Sequence, residues 1–108
     1  GAGRAGLSYI HSVRKELSRI ELYIDTGDGE INTKWFNELY SNKEQVEADF
    51  GDSLNWLALD DKRSCRIEYQ INIGGLQDEE AWGEVHVSLI KNMVSFEKAM
   101  KPHISNLK

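Results

Sequence analysis

The chain has 108 residues, of which 40% are hydrophobic and 29% charged, a composition with enough apolar groups for a packed core and too many for disorder. A chain of this length has room for one domain, spanning residues 1–108, which buries roughly 60 to 70% of the surface its unfolded form exposes. Its formal net charge of −5 argues against a general nucleic-acid binder, since phosphate affinity needs clustered Lys and Arg, and leaves room only for a local basic strip.

Every apolar run is far shorter than the ~20 residues of a membrane span, and no charged n-region precedes an apolar h-region. A soluble, cytoplasmic protein with no membrane contact is therefore expected. Cys65 is the single cysteine, which excludes an internal disulfide and any zinc site built on several thiolates. Its place in the alternating run Cys65, Ile67, Tyr69, Ile71 predicts a packed core thiol rather than a nucleophile.

Gly1-Ala2-Gly3 opens the chain without a methionine, as an excised C-terminal fragment of a longer protein would. Leu7, Tyr9, His11 and Val13 then share one face of a first strand. Ile20, Leu22 and Ile24 alternate with Arg19, Glu21, Tyr23 and Asp25 on a second, so the two strands form a hairpin turning near Lys15 and Glu16.

Asp25-Thr26-Gly27-Asp28-Gly29 is dense in turn formers and closes the second strand. A helix follows, capped by Asn32 or Thr33, with Phe36, Leu39, Tyr40, Val46 and Phe50 as its apolar stripe and Gly51 as a left-handed stop. The Ser41-Asn42 pair is its weak point.

Leu54 to Leu59 and Ser64 to Asn72 make a second strand pair around the charged turn Asp60-Asp61-Lys62-Arg63. Beyond Gly74-Gly75, the acids Asp78, Glu79 and Glu80 suit the positive end of a long helix. Trp82, Val85, Leu89, Met93, Phe96 and Met100 line one side of it, and Pro102 ends it or allows one short extra turn.

Two strands and one helix, twice over, predict an α+β domain: a four-stranded, mainly antiparallel sheet in the order ββαββα, with two helices packed on one face and the other face polar.

The segments Gly3-Arg4-Ala5-Gly6-Leu7, Glu21-Leu22-Tyr23-Ile24, Lys43-Glu44-Gln45-Val46-Glu47, Phe50-Gly51-Asp52-Ser53-Leu54-Asn55-Trp56 and Ser64-Cys65-Arg66-Ile67, together with Phe36, Leu39 and Trp82, resemble the bacterial and archaeal domain-of-unknown-function family 4268. The resemblance covers nearly the whole chain and corresponds to the C-terminal part of that domain, which usually begins with a further helix. Cys65 departs from the Ala-Ser-Arg-Ile such sequences commonly carry, a small core change. In longer members the domain follows a restriction-endonuclease-like or tRNA-endonuclease-like domain. The resemblance therefore implies an accessory module of a nuclease-like or DNA-defence protein, and it supplies no catalytic residue.

The chemical motifs read as ordinary structure. Gly1 to Gly6 satisfies G-x-G-x-x-G, but a dinucleotide fingerprint must follow a strand and open a helix, and here a strand follows it. Asp25, Asp28 and Glu30 crowd one turn without EF-hand spacing, so a solvated turn is expected. Asp60-Asp61-Lys62 with Glu68 and Gln70 echoes the acid-acid-lysine set of restriction-type nucleases, yet three consecutive residues of a tight turn do not converge as such a site requires. His11, His86 and His103 share no ligand spacing. His11 is expected to face the core or an edge. Trp35, Trp56 and Trp82 are expected to anchor the core rather than stack on bases.

One polar constellation stands apart. Arg19, Glu21 and Tyr23 share a face of the second strand, and Arg66, Glu68 and Gln70 share a face of the fourth; if those strands are neighbours, the charges meet across the sheet. The interleaved acids favour a cross-strand ion-pair ladder. Arg4, Arg14, Lys15, Lys62 and Arg63 at strand ends would add a basic rim able to lie on a nucleic-acid backbone, giving Arg4, Arg14, Arg19, Tyr23, Lys62, Arg63 and Arg66 as the candidate contact set. The function expected is that of a non-catalytic accessory domain, needing no cofactor and no metal, that helps a nuclease-like protein engage nucleic acid. The alternative is a protein interaction or dimerisation module without nucleic-acid contact, its partner a preceding nuclease-like domain or a second copy.

Overall fold

The computed structural model describes residues 2–13, 18–58, 64–71 and 82–108. Four strands, β1 (Leu7–Val13), β2 (Ser18–Ile24), β3 (Asn55–Ala58) and β4 (Cys65–Ile71), form one sheet in the order β1-β2-β4-β3 with every neighbouring pair antiparallel. Between β2 and β3 lie α1 (Gly29–Tyr40) and α2 (Lys43–Phe50), and α3 (Trp82–Ser105) follows β4.

The alternation that defines β2 and β4 sorts their side chains cleanly. Ile20, Leu22, Ile24, Cys65, Ile67 and Ile71 are buried and meet Phe36 and Leu39 of α1, Val46 of α2, and Leu89, Phe96, Met100 and Ile104 of α3 in one hydrophobic cluster. Burying side chains of this size contributes about 1.5–3 kcal/mol each, and the whole core draws on one face of the sheet. α1 packs on β3 and β4, α3 packs on β1 and β2, and α2 packs on α3. The Cys65 side chain is buried in the core, as its place in the alternating run predicts.

The expected α+β class and antiparallel four-stranded sheet are present, with one correction: the single helix predicted between the strand pairs is two, so the described residues hold three helices rather than two. Ser41 Oγ donates to the Glu38 carbonyl at 2.6 Å and Asn42 Nδ2 donates to the same oxygen at 3.1 Å, taking over an acceptor at the helix end. Gly51, at φ 102°, closes α2 in the left-handed region.

The helix also starts earlier than Asn32 or Thr33. Asp28 is the cap, its Oδ1 accepting from the backbone N–H of Glu30 at 2.9 Å and of Ile31 at 3.4 Å. Asn32 turns back instead: it is 1% exposed, and its Oδ1 accepts from the Thr26 backbone N–H at 2.8 Å and the Thr26 hydroxyl at 2.7 Å. α3 runs through Pro102 to Ser105, the short extra turn that the sequence allowed.

Gly6, at φ +89°, is fixed by a close approach. A Cβ there would lie 2.7 Å from the Thr26 Cα, and the Asp25 N–H donates to the Gly6 carbonyl at 2.7 Å.

Candidate functional site

The neighbour relation on which the polar constellation depends is realised, because β2 and β4 lie side by side at the centre of the sheet. Arg19 stands opposite Gln70, Glu21 opposite Glu68, and Tyr23 opposite Arg66. These six side chains point away from the hydrophobic cluster onto the face that none of its core positions uses. Ser8, Ile10 and Ser12 of β1 and Asn55 and Leu57 of β3 extend the same face to either side.

The backbone phase sets how closely these residues meet. The Asp25 N–H bond to Gly6 makes residues 6 and 25 a hydrogen-bonded pair, so by alternation Tyr23, Glu21 and Arg19 bond toward β1. Their pairs with β4 are then the non-hydrogen-bonded kind, whose Cα atoms approach to about 4.5 Å. Glu21 and Glu68 thus face each other across the tightest spacing a sheet offers, at 5% and 2% exposure.

Two like charges placed so close are costly unless compensated. Compensation comes from within each strand: Arg19 Nε lies 3.5 Å from Glu21 Oε1, and Arg66 Nε lies 3.3 Å from Glu68 Oε1. Gln70 Nε2 donates to the second Glu68 oxygen at 3.4 Å. The result is a near two-fold quartet with no net charge, in which each arginine's Nε is buried within ion-pair distance of a glutamate oxygen but without a hydrogen bond. Such a group can offer two guanidinium forks and a tyrosine ring to an anionic, planar ligand.

The other predicted contact residues are placed differently. Arg4 is away from this face: its Nη2 donates to the Leu107 carbonyl at 2.7 Å and to the Ser105 carbonyl at 3.3 Å, and its guanidinium sits 5.7 Å from the Trp35 ring centroid. There it meets the negative end of α3 and ties the start of the chain to that helix. Arg14, Lys62 and Arg63, with Lys15 and the Asp60-Asp61 turn, lie outside the described residues, as do the acids Asp78 to Glu80 and the side chains of Trp82, Val85 and His86. The structure therefore brings together Arg19, Tyr23 and Arg66. His11 is exposed on the edge strand. Trp35 and Trp56 pack against the core, Trp56 lying edge-on to Phe36 and Tyr40.

Two further polar links were not signalled by the sequence. Glu47 Oε2 accepts from the Leu54 backbone N–H at 2.7 Å and from Trp56 Nε1 at 3.1 Å, pinning α2 to β3. The Tyr69 hydroxyl donates to Asp52 at 2.8 Å; this bond, with the Ser53 N–H, holds the Asp52 carboxyl below its usual range and pushes Tyr69 up. Both connect residues seven to seventeen positions apart, where no local spacing rule applies. Among the described residues no group of three or more His, Cys, Asp or Glu could hold a metal ion, and no helix is long and apolar enough to cross a membrane.

No curated protein and no solved structure matches the chain. A family description does, over residues 1–104, which take in the four described strands, α1, α2, α3 but for its last residue, and the Arg-Glu seam. On that match the chain belongs to the family described as a domain of unknown function, DUF4268.

Proposed function

We propose that this chain is a non-catalytic accessory domain that engages nucleic acid through the open face of its sheet, in the setting of a nuclease-like or DNA-defence protein. The observation that carries the reading is the Arg19, Tyr23 and Arg66 arrangement across the β2–β4 seam. Each buried glutamate lies within ion-pair distance of one arginine's Nε, an attraction that draws both guanidinium groups to the seam, where a phosphate can meet them. Tyr23, half-buried directly opposite Arg66, adds a ring on which a base can stack. Glu21 and Glu68 lie beneath the arginine stems and cancel their charge at long range, so the face gives short-range contact without a strong steering field. That combination suits an assisting role better than autonomous high-affinity binding. The compartment on this reading is the cytoplasm, where nucleic acid and a reduced Cys65 thiol coexist.

The test is a salt titration of binding to labelled duplex DNA, single-stranded DNA and structured RNA, comparing the parent chain with the Arg19→Gln/Arg66→Gln double variant. The plot of log affinity against log salt should lose a slope of roughly two on duplex DNA, about 0.9 for each phosphate contact removed. A double variant that keeps its fold by circular dichroism and binds with the parent's slope would falsify the proposal.

A further inference from the structure

We infer that the outer edge of β1 is an interface, pairing antiparallel with β1 of a second copy of this chain so that two four-stranded sheets join into one of eight strands. The inference rests on backbone geometry and stands independently of the nucleic-acid reading.

The direction of each backbone group in β1 follows from three bonds. The Asp25 N–H donates to the Gly6 carbonyl at 2.7 Å, so residue 6 faces β2. The Leu7 carbonyl accepts from the Ala2 N–H at 3.0 Å and the Leu7 N–H donates to the Arg4 carbonyl at 3.1 Å, so Leu7 faces away from β2. Alternation then turns the N–H and C=O of Tyr9, His11 and Val13 outward, and Tyr9 and His11 have no backbone partner there among the described residues.

Edge strands are ordinarily blunted by charge, proline, a bulge or brevity. β3, the opposite edge, has four residues. β1 has none of these protections: Leu-Ser-Tyr-Ile-His-Ser-Val contains no Lys, Arg, Asp, Glu or Pro, and its seven pairs with β2 run without a bulge. Ile10 is also 37% exposed on the sheet face beside this edge.

A second copy is the occupant that the strand itself specifies. Although the whole chain is acidic, β1 brings no carboxylate to the edge, so self-pairing sets no like charges opposite one another. Outward groups belong to odd residues, so a two-fold pair must meet odd to odd. The Ala2 and Arg4 bonds already occupy Leu7, which blocks pairing at that end. An axis at His11 avoids the block: His11 meets His11 of the second copy, Tyr9 meets Val13, and Ile10 is covered by Ser12. Such an interface is isologous and closed, consistent with a dimer rather than a fibre.

Sedimentation velocity on the 108-residue chain, without nucleic acid, between roughly 1 and 500 µM, reads the association directly. A monomer–dimer equilibrium is expected. His11→Pro should weaken it by roughly 30-fold, since the central pair loses both of its hydrogen bonds while the bonds of β1 to β2 are untouched. Should His11→Pro fail to fold, His11→Lys, which sets two ammonium groups across the axis, decides in its place. A parent that stays monomeric over the range overturns the inference and leaves the edge to an extended peptide of another protein. A dimer that survives both substitutions also overturns it, and would assign association to another surface, such as the exposed Val87, Ile90 and Val94 of α3.

Discussion

Replacing Arg66 by Met keeps most of the side chain's length and removes its charge, leaving Glu68 beneath it with only Gln70 as a close partner and Glu21 directly opposite. The Arg66–Glu68 contact is 3.3 Å, which at an effective dielectric of about 20 is worth about 5 kcal/mol before desolvation. The Arg66 side chain is 31% exposed, so solvent screening and the cost of burying Glu68 reduce the expected loss to about 2 kcal/mol. For a domain of this size that lowers Tm by about 8 °C. Urea unfolding followed by tryptophan fluorescence, on Arg66→Met, Glu68→Gln and the double variant, separates the pair from packing. The double variant should lose at least about 1 kcal/mol less than the sum of the single losses, because neutralising Glu68 relieves the charge that Arg66 no longer balances. Arg66→Met within about 0.5 kcal/mol of the parent, or equally costly whether residue 68 is Glu or Gln, would refute the argument that this seam is held by charge compensation.

Gly6→Ala should cost about 2–3 kcal/mol in the same assay, from a left-handed φ of +89° together with a Cβ placed 2.7 Å from the Thr26 backbone; a loss below about 0.5 kcal/mol would show that the loop shifts freely. Tyr9, pushed from 10.0 up to about 12 by its burial and then by the Glu97 carboxylate, should ionise late in an alkaline titration of tyrosinate absorbance, and Tyr9→Phe should delete that late step. Because its folded value is the raised one, Tyr9's contribution to stability is intact below pH 10 and lost as pH climbs through about 12, a loss of about 1 kcal/mol after allowing for partial exposure. An alkaline titration that Tyr9→Phe leaves unchanged in its last step would contradict that assignment.

The parts of the fold legible in the sequence are those set by local period and local turn chemistry. Ile20, Leu22 and Ile24 announce β2 because a two-residue repeat has one buried face, and Gly51 announces the end of α2 because only glycine enters the left-handed region cheaply. Asn32 misleads for the same local reason: its type suits a cap, yet its side chain serves Thr26, and Asp28 caps instead. The break at Ser41-Asn42 was visible as a weakness but not as a division, since it depends on both side chains finding the Glu38 carbonyl. The seam was legible only in part. Alternation puts Arg19, Glu21, Arg66 and Glu68 on the polar face and suggests a ladder across the strands, whereas each acid pairs within its own strand, and the burial of both follows from β2 and β4 being central neighbours in an order no local pattern encodes. Arg4 reads as one more basic strand end until the carbonyls of Ser105 and Leu107, at and just past the end of α3, arrive beside it.

The most direct measurement of the central claim is an amide NMR titration of the chain with a short unlabelled oligonucleotide at low salt. Shift changes and broadening concentrated at Tyr23, Arg66 and their face neighbours Ser8, Ile10 and Leu57, and reversed by added salt, are the predicted result. A spectrum that does not change, or changes confined to α1 and α3 while the β2–β4 seam stays still, would contradict it.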